Sequence, residues 1–531
     1  MIDSSLLSPD QAARWHTAWT AYQAGDLQQA SELLHALLLE LPEHDAMLHI
    51  LGKTQWKLGQ LQQARLLLSR AVELNPEEPL YQYHLGEVLL SQEMPQAALM
   101  QWQQLISSVP TFRPAYLAAA RCLSALGQAA QARSLLEAGL RVLPDAEDLV
   151  ELLALTYLRH NQSRQAITLL RHSLKRFPLR HGLHVHLASA YHQCGQYRQA
   201  LQTLDTLLTL VPDHYVARYQ RGVIRLSVGD YANGWHDYDA RLMLPGVLPE
   251  VLPFTPWQGE DLTERTLLVL AHESVESALL LSRFIPILRA AAQPKKLYWF
   301  GDASLFPLLA NFGIDHCIAD AKELATLACD YAVPLASVPR IFQLRSGHIP
   351  APSIPLSIDA PVAQYWRARL EGHVSHVGIA LYAQRMAVYP QPDFLAQVLS
   401  LAGLNYIDCV PPLLADARDA TDVSDALTAF DAFDGLPVMQ VATELKTLAQ
   451  TAALMQQLDY FISYDNVLAV LASCLKIPTI VLLPHAPSWY WGAAVAQSAW
   501  FPTTTLLRLP ASGDWSQVAA QLQTMLETRS S

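Results

Sequence analysis

Six prolines stand at one interval in the first half of the chain: Pro42, Pro76, Pro110, Pro144, Pro178 and Pro212 are each 34 residues apart. Alanines keep the same step at Ala30, Ala64, Ala98, Ala132, Ala166 and Ala200. A third register holds small residues at Ala18, Gly52, Gly86, Ala120, Ala154, Ala188 and Gly222. A fourth holds Gly25, Gly59, Gly127, Gly195 and Gly229, with Glu93 and Asn161 as exceptions. Each register has a physical reason. Small residues on two facing helices let their backbones approach closely. Glycine supplies the positive φ of the turn between them. Proline ends the second helix and opens the link to the next pair.

A 34-residue period of this kind is the signature of the tetratricopeptide repeat. Residues 1–240 are therefore expected to form an α-solenoid, with six full repeats at 11–214 and a partial seventh. Ser8, Pro9 and Gln11 read as N-cap, first-turn proline and capping-box partner of its first helix. No single pair buries its apolar face alone, so stacking has to supply the core. Stacked pairs leave a concave face lined by the first helix of each. Lys53, Trp56, Tyr83, Glu87, Arg121, Ser189, His192 and Tyr219 are the candidates for holding a protein or peptide there.

The period breaks at the seventh repeat, where Gly234 and Trp235 take the place of the alanine and its neighbour in YANGWHDYDARL. The proline-rich stretch that follows makes 241–262 a linker. From Thr266 short apolar runs alternate with helical stretches, the pattern of parallel sheets covered by helices. Strands are expected at 267–271, 297–300, 314–318, 330–334, 376–381, 405–409, 459–463 and 478–483. This fits two α/β domains, 263–370 and 371–531.

In order along the chain, YANGWHDYDARL, TPWQGEDL, TLLVLA, DYAVPLASVP, VGIALYA, LAQTAALMQQLDYFISYD, IPTIVLLPHAPSWYW, SAWFP and GDW resemble bacterial tetratricopeptide-repeat glycosyltransferases, relatives of O-GlcNAc transferases and heptosyltransferases. The resemblance implies a GT-B pair of Rossmann-like domains, a nucleotide-sugar cleft between them, and protein glycosylation of an acceptor held by the repeats. It also exposes departures. Where that family reads EQGLGD this chain has His272, Glu273, Ser274, Val275, Glu276 and Ser277, without the glycines or the aspartate. His272 and Glu273 remain as possible catalytic bases. In the second-domain loop Asp465 is kept and Asn466 stands for a threonine, but Val470 replaces a histidine. The family's WRW becomes Trp489, Tyr490 and Trp491, and Gln450 replaces an aspartate. Asp465, Asn466, Arg385 and His485 are the remaining candidates for a nucleotide-sugar, with Arg508 a further arginine. The asparagine ladder of O-GlcNAc transferases is replaced by Ile50, His84, Ala118, Leu152, His186 and Gln220.

Charge bears on the same question. The net charge is −12, and from His376 onward six basic residues face thirteen acidic ones. A diphosphate needs arginine, lysine or aimed N–H groups, and nucleic acid needs a basic stripe. The acidic run DARDATDVSD lacks the glycine and terminal glutamate of an EF-hand, and no HExxH, Walker loop or paired-cysteine metal site occurs. No metal or resident cofactor is expected; a nucleotide-sugar donor enters only if the domain is active. Six scattered cysteines, no signal-peptide pattern and no 18-residue apolar run make a cytoplasmic protein without a membrane span the expectation. Two functions stay open: an interaction scaffold fused to a degenerate glycosyltransferase-like pseudoenzyme, or an active glycosyltransferase.

Overall fold

The computed structural model describes residues 7–247, 254–345, 347–352, 355–372, 375–381, 398–399, 404–411, 438–493, 495–509 and 515–530. The chain divides into two compact units, 1–160 with 169–178, and 161–168 with 179–531.

In the first unit α1 (Pro9–Ala24) packs on α2 (Leu27–Glu40), α3 (Asp45–Lys57) on α4 (Leu61–Leu74), α5 (Pro79–Ser91) on α6 (Pro95–Ser108), and α7 (Arg113–Ala125) on α8 (Ala129–Val142). The helix α9 (Glu147–Arg159) follows, and α10 (Ser163–Arg176) straddles the division. The capping box is present: Gln11 N–H donates to Ser8 Oγ at 3.2 Å, and Ser8 N–H donates to Gln11 Oε1 at 3.0 Å. The small-residue registers are buried where the helices touch; Ala18, Ala30, Ala64 and Ala98 are fully enclosed. The turn register keeps its backbone even where glycine is missing. Glu93 and Asn161 hold φ of 59° and 53°, so the geometry of the pair overrides the side chain's preference.

The second unit opens with two more pairs, α11 (His181–Gln193) on α12 (Tyr197–Leu210) and α13 (Tyr215–Ser227) on α14 (Tyr231–Tyr238), ending in a 3-10 turn at Asp239–Met243. A first parallel sheet follows, built from β1 (Thr255–Pro256), β2 (Thr266–Ala271), β3 (Lys296–Gly301), β4 (His316–Ile318) and β5 (Tyr331–Pro334) in the order β1-β5-β2-β3-β4. Helices α15 (Val275–Leu281), α16 (Ile285–Ala292), α17 (Ala321–Thr326) and α18 (Val338–Ile341) lie between or after its strands, and α19 (Ala360–Arg369) leads to the second sheet. That sheet is also parallel throughout. Its strands β6 (Ser375–Ala380), β7 (Leu404–Asp408), β8 (Val438–Gln440), β9 (Tyr460–Tyr464), β10 (Thr479–Leu483) and β11 (Thr504–Arg508) run in the order β11-β10-β9-β6-β7-β8. Its helices include α20 (Leu448–Met455), α21 (Val467–Cys474) and α22 (Ser516–Ser530).

The stretch expected as a linker is partly built into this fold. Arg241 is buried, and β1 adds an edge strand against β5. Trp257 is 1 % exposed and donates its indole N–H to the Glu260 carbonyl at 2.8 Å. A tryptophan shut into an apolar core holds down a segment that its prolines would otherwise leave extended. The last helices of the repeat region likewise fall in the second unit, not at a boundary near 240. A single core takes in Leu226, Tyr231 and Trp235 together with Trp299, Leu468 and Trp500. No helix among the described residues is long and apolar enough to cross a membrane.

Gly222 marks the tightest contact in that join. A Cβ there would lie 2.5 Å from Tyr238 N and 2.8 Å from Tyr238 Cα, backbone atoms that cannot rotate away. Gly222→Ala is expected to destabilise the second unit by about 1–3 kcal/mol, measured as a lower urea midpoint.

Candidate functional site

Three strands of the second unit end at one place: β2 before His272, β9 before Asp465 and β10 before Pro484. The carboxyl ends of parallel strands are where α/β folds open to ligands. A cavity of about 510 Å³ lies there, walled also by His192 of α11, by Tyr219 and Val223 of α13, and by Tyr238 and Arg241 after them. Sequence candidates from two separate expectations thus meet. His272, Glu273, Asp465 and Asn466 come from the α/β motifs, and His192 and Tyr219 from the expected peptide face.

Several of these side chains are already committed inside the protein. Arg241 is 3 % exposed. It meets Glu273 at 2.6 Å and Asp239 at 2.5 Å, and donates to Ser337 Oγ at 3.2 Å. Burial is the largest single influence and would lower its pKa, but Glu273, Tyr238 and Asp239 together outweigh it and hold the guanidinium above its ordinary value. Asp239 in turn pairs with Arg340. Burial, then the charge of Glu273, pushes the Tyr238 phenol well up. Glu273, proposed as a base by its position, is one arm of this ionic bracket.

Asp465 does not cap the helix that follows it. Its carboxylate accepts the Ser488 N–H at 2.7 Å, the Trp491 indole N–H at 2.8 Å and, more distantly, the Tyr490 hydroxyl at 3.5 Å. It therefore fixes the Ser488–Trp491 turn. Asn466 is the N-cap of α21: its Oδ1 accepts from Leu468 N–H at 3.0 Å and Ala469 N–H at 3.1 Å, while its Nδ2 donates to the Ala380 carbonyl at 3.1 Å. The first-turn amides that suit a phosphate are thus met by the protein's own side chain. The start of α15 is closed in the same way, with Ser274 Oγ accepting from Ser277 N–H at 3.1 Å. Val470 is fully enclosed in the core.

The other candidates lie apart from the cavity or outside the described residues. His485 is not a wall residue; its carbonyl accepts the Tyr197 hydroxyl at 3.1 Å. Arg508 turns to the Gly492 carbonyl at 2.6 Å. Arg385 lies outside the described residues, as does the acidic run DARDATDVSD. Gln450 serves locally, accepting Lys446 N–H at 2.8 Å while its own N–H reaches Thr447 Oγ1 at 3.2 Å, a capping arrangement at the start of α20.

In the first unit, Lys53 and Lys57 lie over the Tyr22 ring at 5.7 and 4.4 Å. Trp56 donates to Ser91 Oγ at 2.9 Å. Tyr83 stands edge-on to Phe112, with ring centres 5.8 Å apart. Burial raises the Glu87 carboxyl against the opposing effects of Tyr83 and Arg121. These residues link the first helices of successive pairs. In the second unit Ser189 is engaged by Gln220, whose Nε2 lies 2.5 Å from its hydroxyl.

Comparison with known proteins identifies the repeats. A tetratricopeptide repeat family model matches residues 21–86. The N-terminal region carries tetratricopeptide repeats. A second model, anaphase-promoting complex, cyclosome, subunit 3, matches residues 140–207. No curated protein matches the chain. Among solved structures, a tetratricopeptide repeat protein from Parabacteroides merdae is 17 % identical over 45 % of this chain and 95 % of its own, with a TM-score of 0.36. A glycosyl transferase family 9 protein from Veillonella parvula is 12 % identical over 50 % of this chain and 96 % of its own, with a TM-score of 0.37.

Removing Arg241 leaves Glu273 and Asp239 as partly buried charges with fewer partners. Arg241→Ala is expected to cost about 3–5 kcal/mol, read as a lowered unfolding midpoint of the full chain. An unchanged midpoint would mean that the bracket does not hold this unit together.

Proposed function

We propose that this chain is a protein-interaction scaffold. Its tetratricopeptide repeats hold a partner protein or peptide, and its paired α/β lobes are a GT-B-like domain that has lost ordinary nucleotide-sugar chemistry. One observation carries this: the groups that would meet a diphosphate are already used. The α21 amides are capped by Asn466, and Arg241 is bound to Glu273 and Asp239. A diphosphate brought here would meet the carboxylates of Asp465, Glu273 and Glu276 without a free arginine or lysine on the described wall. The polar and aromatic residues of the first helices, Trp56, Tyr83 and Arg121 among them, supply the kind of surface on which a solenoid holds a chain.

The alternative is an active glycosyltransferase that modifies a protein held by the repeats. It is favoured by the place of the cavity, at the carboxyl ends of strands from both sheets.

Calorimetry on the full chain separates the two. With UDP, GDP and ADP, no binding tighter than about 1 mM is expected, about 4 kcal/mol at most. A tighter complex would favour the alternative. Partner binding is checked by capture from cell extract: proteins retained by the native chain should be lost with Trp56→Ala combined with Tyr83→Ala. Equal retention would remove the role given to that face.

A further inference from the structure

We propose that the contact between the second and third repeats is a proton-sensitive joint, closed by two neutral imidazoles and opened in mild acid. His49 of α3 and His84 of α5 meet there, with His49 Nε2 lying 3.0 Å from His84 Nδ1. His49 is buried and His84 half-buried. The same His84 Nδ1 lies 2.7 Å from the Leu80 carbonyl, which can only accept. That nitrogen therefore carries the hydrogen, and His49 Nε2 is the bare acceptor. The contact has room for one hydrogen. A proton taken up by His49 goes to Nε2 and stands against the His84 N–H, so the bond becomes an opposition of two donors.

The surroundings give such a charge little support. Asp45 and Lys53 stand one turn to either side of His49 on α3. The Asp45 carboxylate is already met by Asn75 Nδ2 at 2.9 Å and by the Tyr81 hydroxyl at 3.2 Å. Lys53, which rests over Tyr22 of α1, opposes a second positive charge at either ring. On α5 the Tyr81 ring covers His49 with centres 4.6 Å apart, Tyr83 stands edge-on to His84 at 5.3 Å, and Glu87 is engaged by Tyr83. On α2, Glu40 pairs with Arg14, Glu32 accepts from Gln28, and His35 meets Gln55. On α4, Arg70 pairs with Glu73 and Arg65 reaches Met94. The α6 helix has no titratable side chain. Burial, then His84 and Lys53, draw the His49 pKa down to about 3; burial and Lys53 draw His84 down to about 4. Each ring is thus neutral in the closed joint and takes up a proton once exposed. Stability present above the ordinary histidine value of about 6.5 is lost as the pH falls below it. Trp56 and Tyr83 lie on the same two helices, so on the scaffold reading an open joint releases the partner.

Amide hydrogen exchange on the full chain, corrected for its intrinsic pH dependence, tests the joint at about pH 7.5 and about pH 5. Two rings of ordinary pKa favour the open joint by up to roughly a thousandfold at the lower pH. Protection of α3 and α5 is expected to fall at least about a hundredfold. Protection of α7 and α8, which contain no histidine, should fall less than about tenfold, because repeats couple mainly to their neighbours. A variant with His49→Gln and His84→Asn puts an amide oxygen in place of Nε2 and an amide N–H in place of Nδ1–H. It keeps the bond without a titrating ring, and its loss at α3 and α5 should stay under about tenfold. No loss at α3 and α5 in the native chain, equal loss in all four helices, or an unchanged loss in the variant overturns the joint. If the variant does not fold, the comparison of helices within the native chain decides. No partner is present during exchange, so the joint can fail while the scaffold stands, and failed capture by the native chain removes the scaffold while leaving the joint.

Discussion

Burial of the Arg241 guanidinium is the commitment on which the second unit depends. A buried charge must be paired, because the cost of removing it from water is several kcal/mol even after relaxation. Its partners come from three parts of the chain: Asp239 at the end of the repeats, Glu273 after β2, and Ser337 after β5. One side chain therefore fixes the end of the helical repeats against the first lobe. The second lobe is tied in by apolar contact. Trp235 meets Trp489 edge-on at 5.1 Å, and Trp500 donates its indole N–H to the Tyr231 hydroxyl at 3.1 Å. Such pairs add directional preference to a large buried area. The final repeat is thereby part of the cavity wall.

The same pairing decides what chemistry is left. In a working nucleotide-sugar cleft, charged and amide donors face the ligand and wait for it. Here Arg241 faces Glu273, the amides of α21 face Asn466, and Asp465 faces the Ser488–Trp491 turn. Each contact ties the group into the fold. The cavity itself stays open because these groups turn into the protein, leaving space between the strand ends and α13.

How much of this was legible in the sequence depended on how local the cause was. The 34-residue registers report contacts between neighbouring helices, so they were readable directly, including the Ser8 capping box. Strands such as β2 and β10 were readable as short apolar runs. The edge strands β1, β8 and β11 escaped because their two to five residues carry little apolar pattern and are set by a neighbour. Asp465 and Asn466 were recognised as a pair at a strand end, but their roles were not divisible from sequence. Which one caps α21 depends on where the 488–491 turn comes back, and that is a tertiary matter. His192 and Tyr219 were picked for an open peptide face; they line the cavity because the last repeats pack into the α/β core. Arg241 was missed as a central residue. Its only signal was a lone arginine following two aspartates in DYDARL, which reads equally well as surface.

What the internal pairings do not reach is as informative as what they do. A buried polar group without a partner costs about 1–3 kcal/mol. His272 Nδ1 and His192 Nε2 both bear that cost in a region where Asp465, Asn466 and Arg241 are richly bonded. Glu276, on the cavity wall, is paired with no described residue. The internal pairings around Arg241 and Asp465 stop short of these side chains.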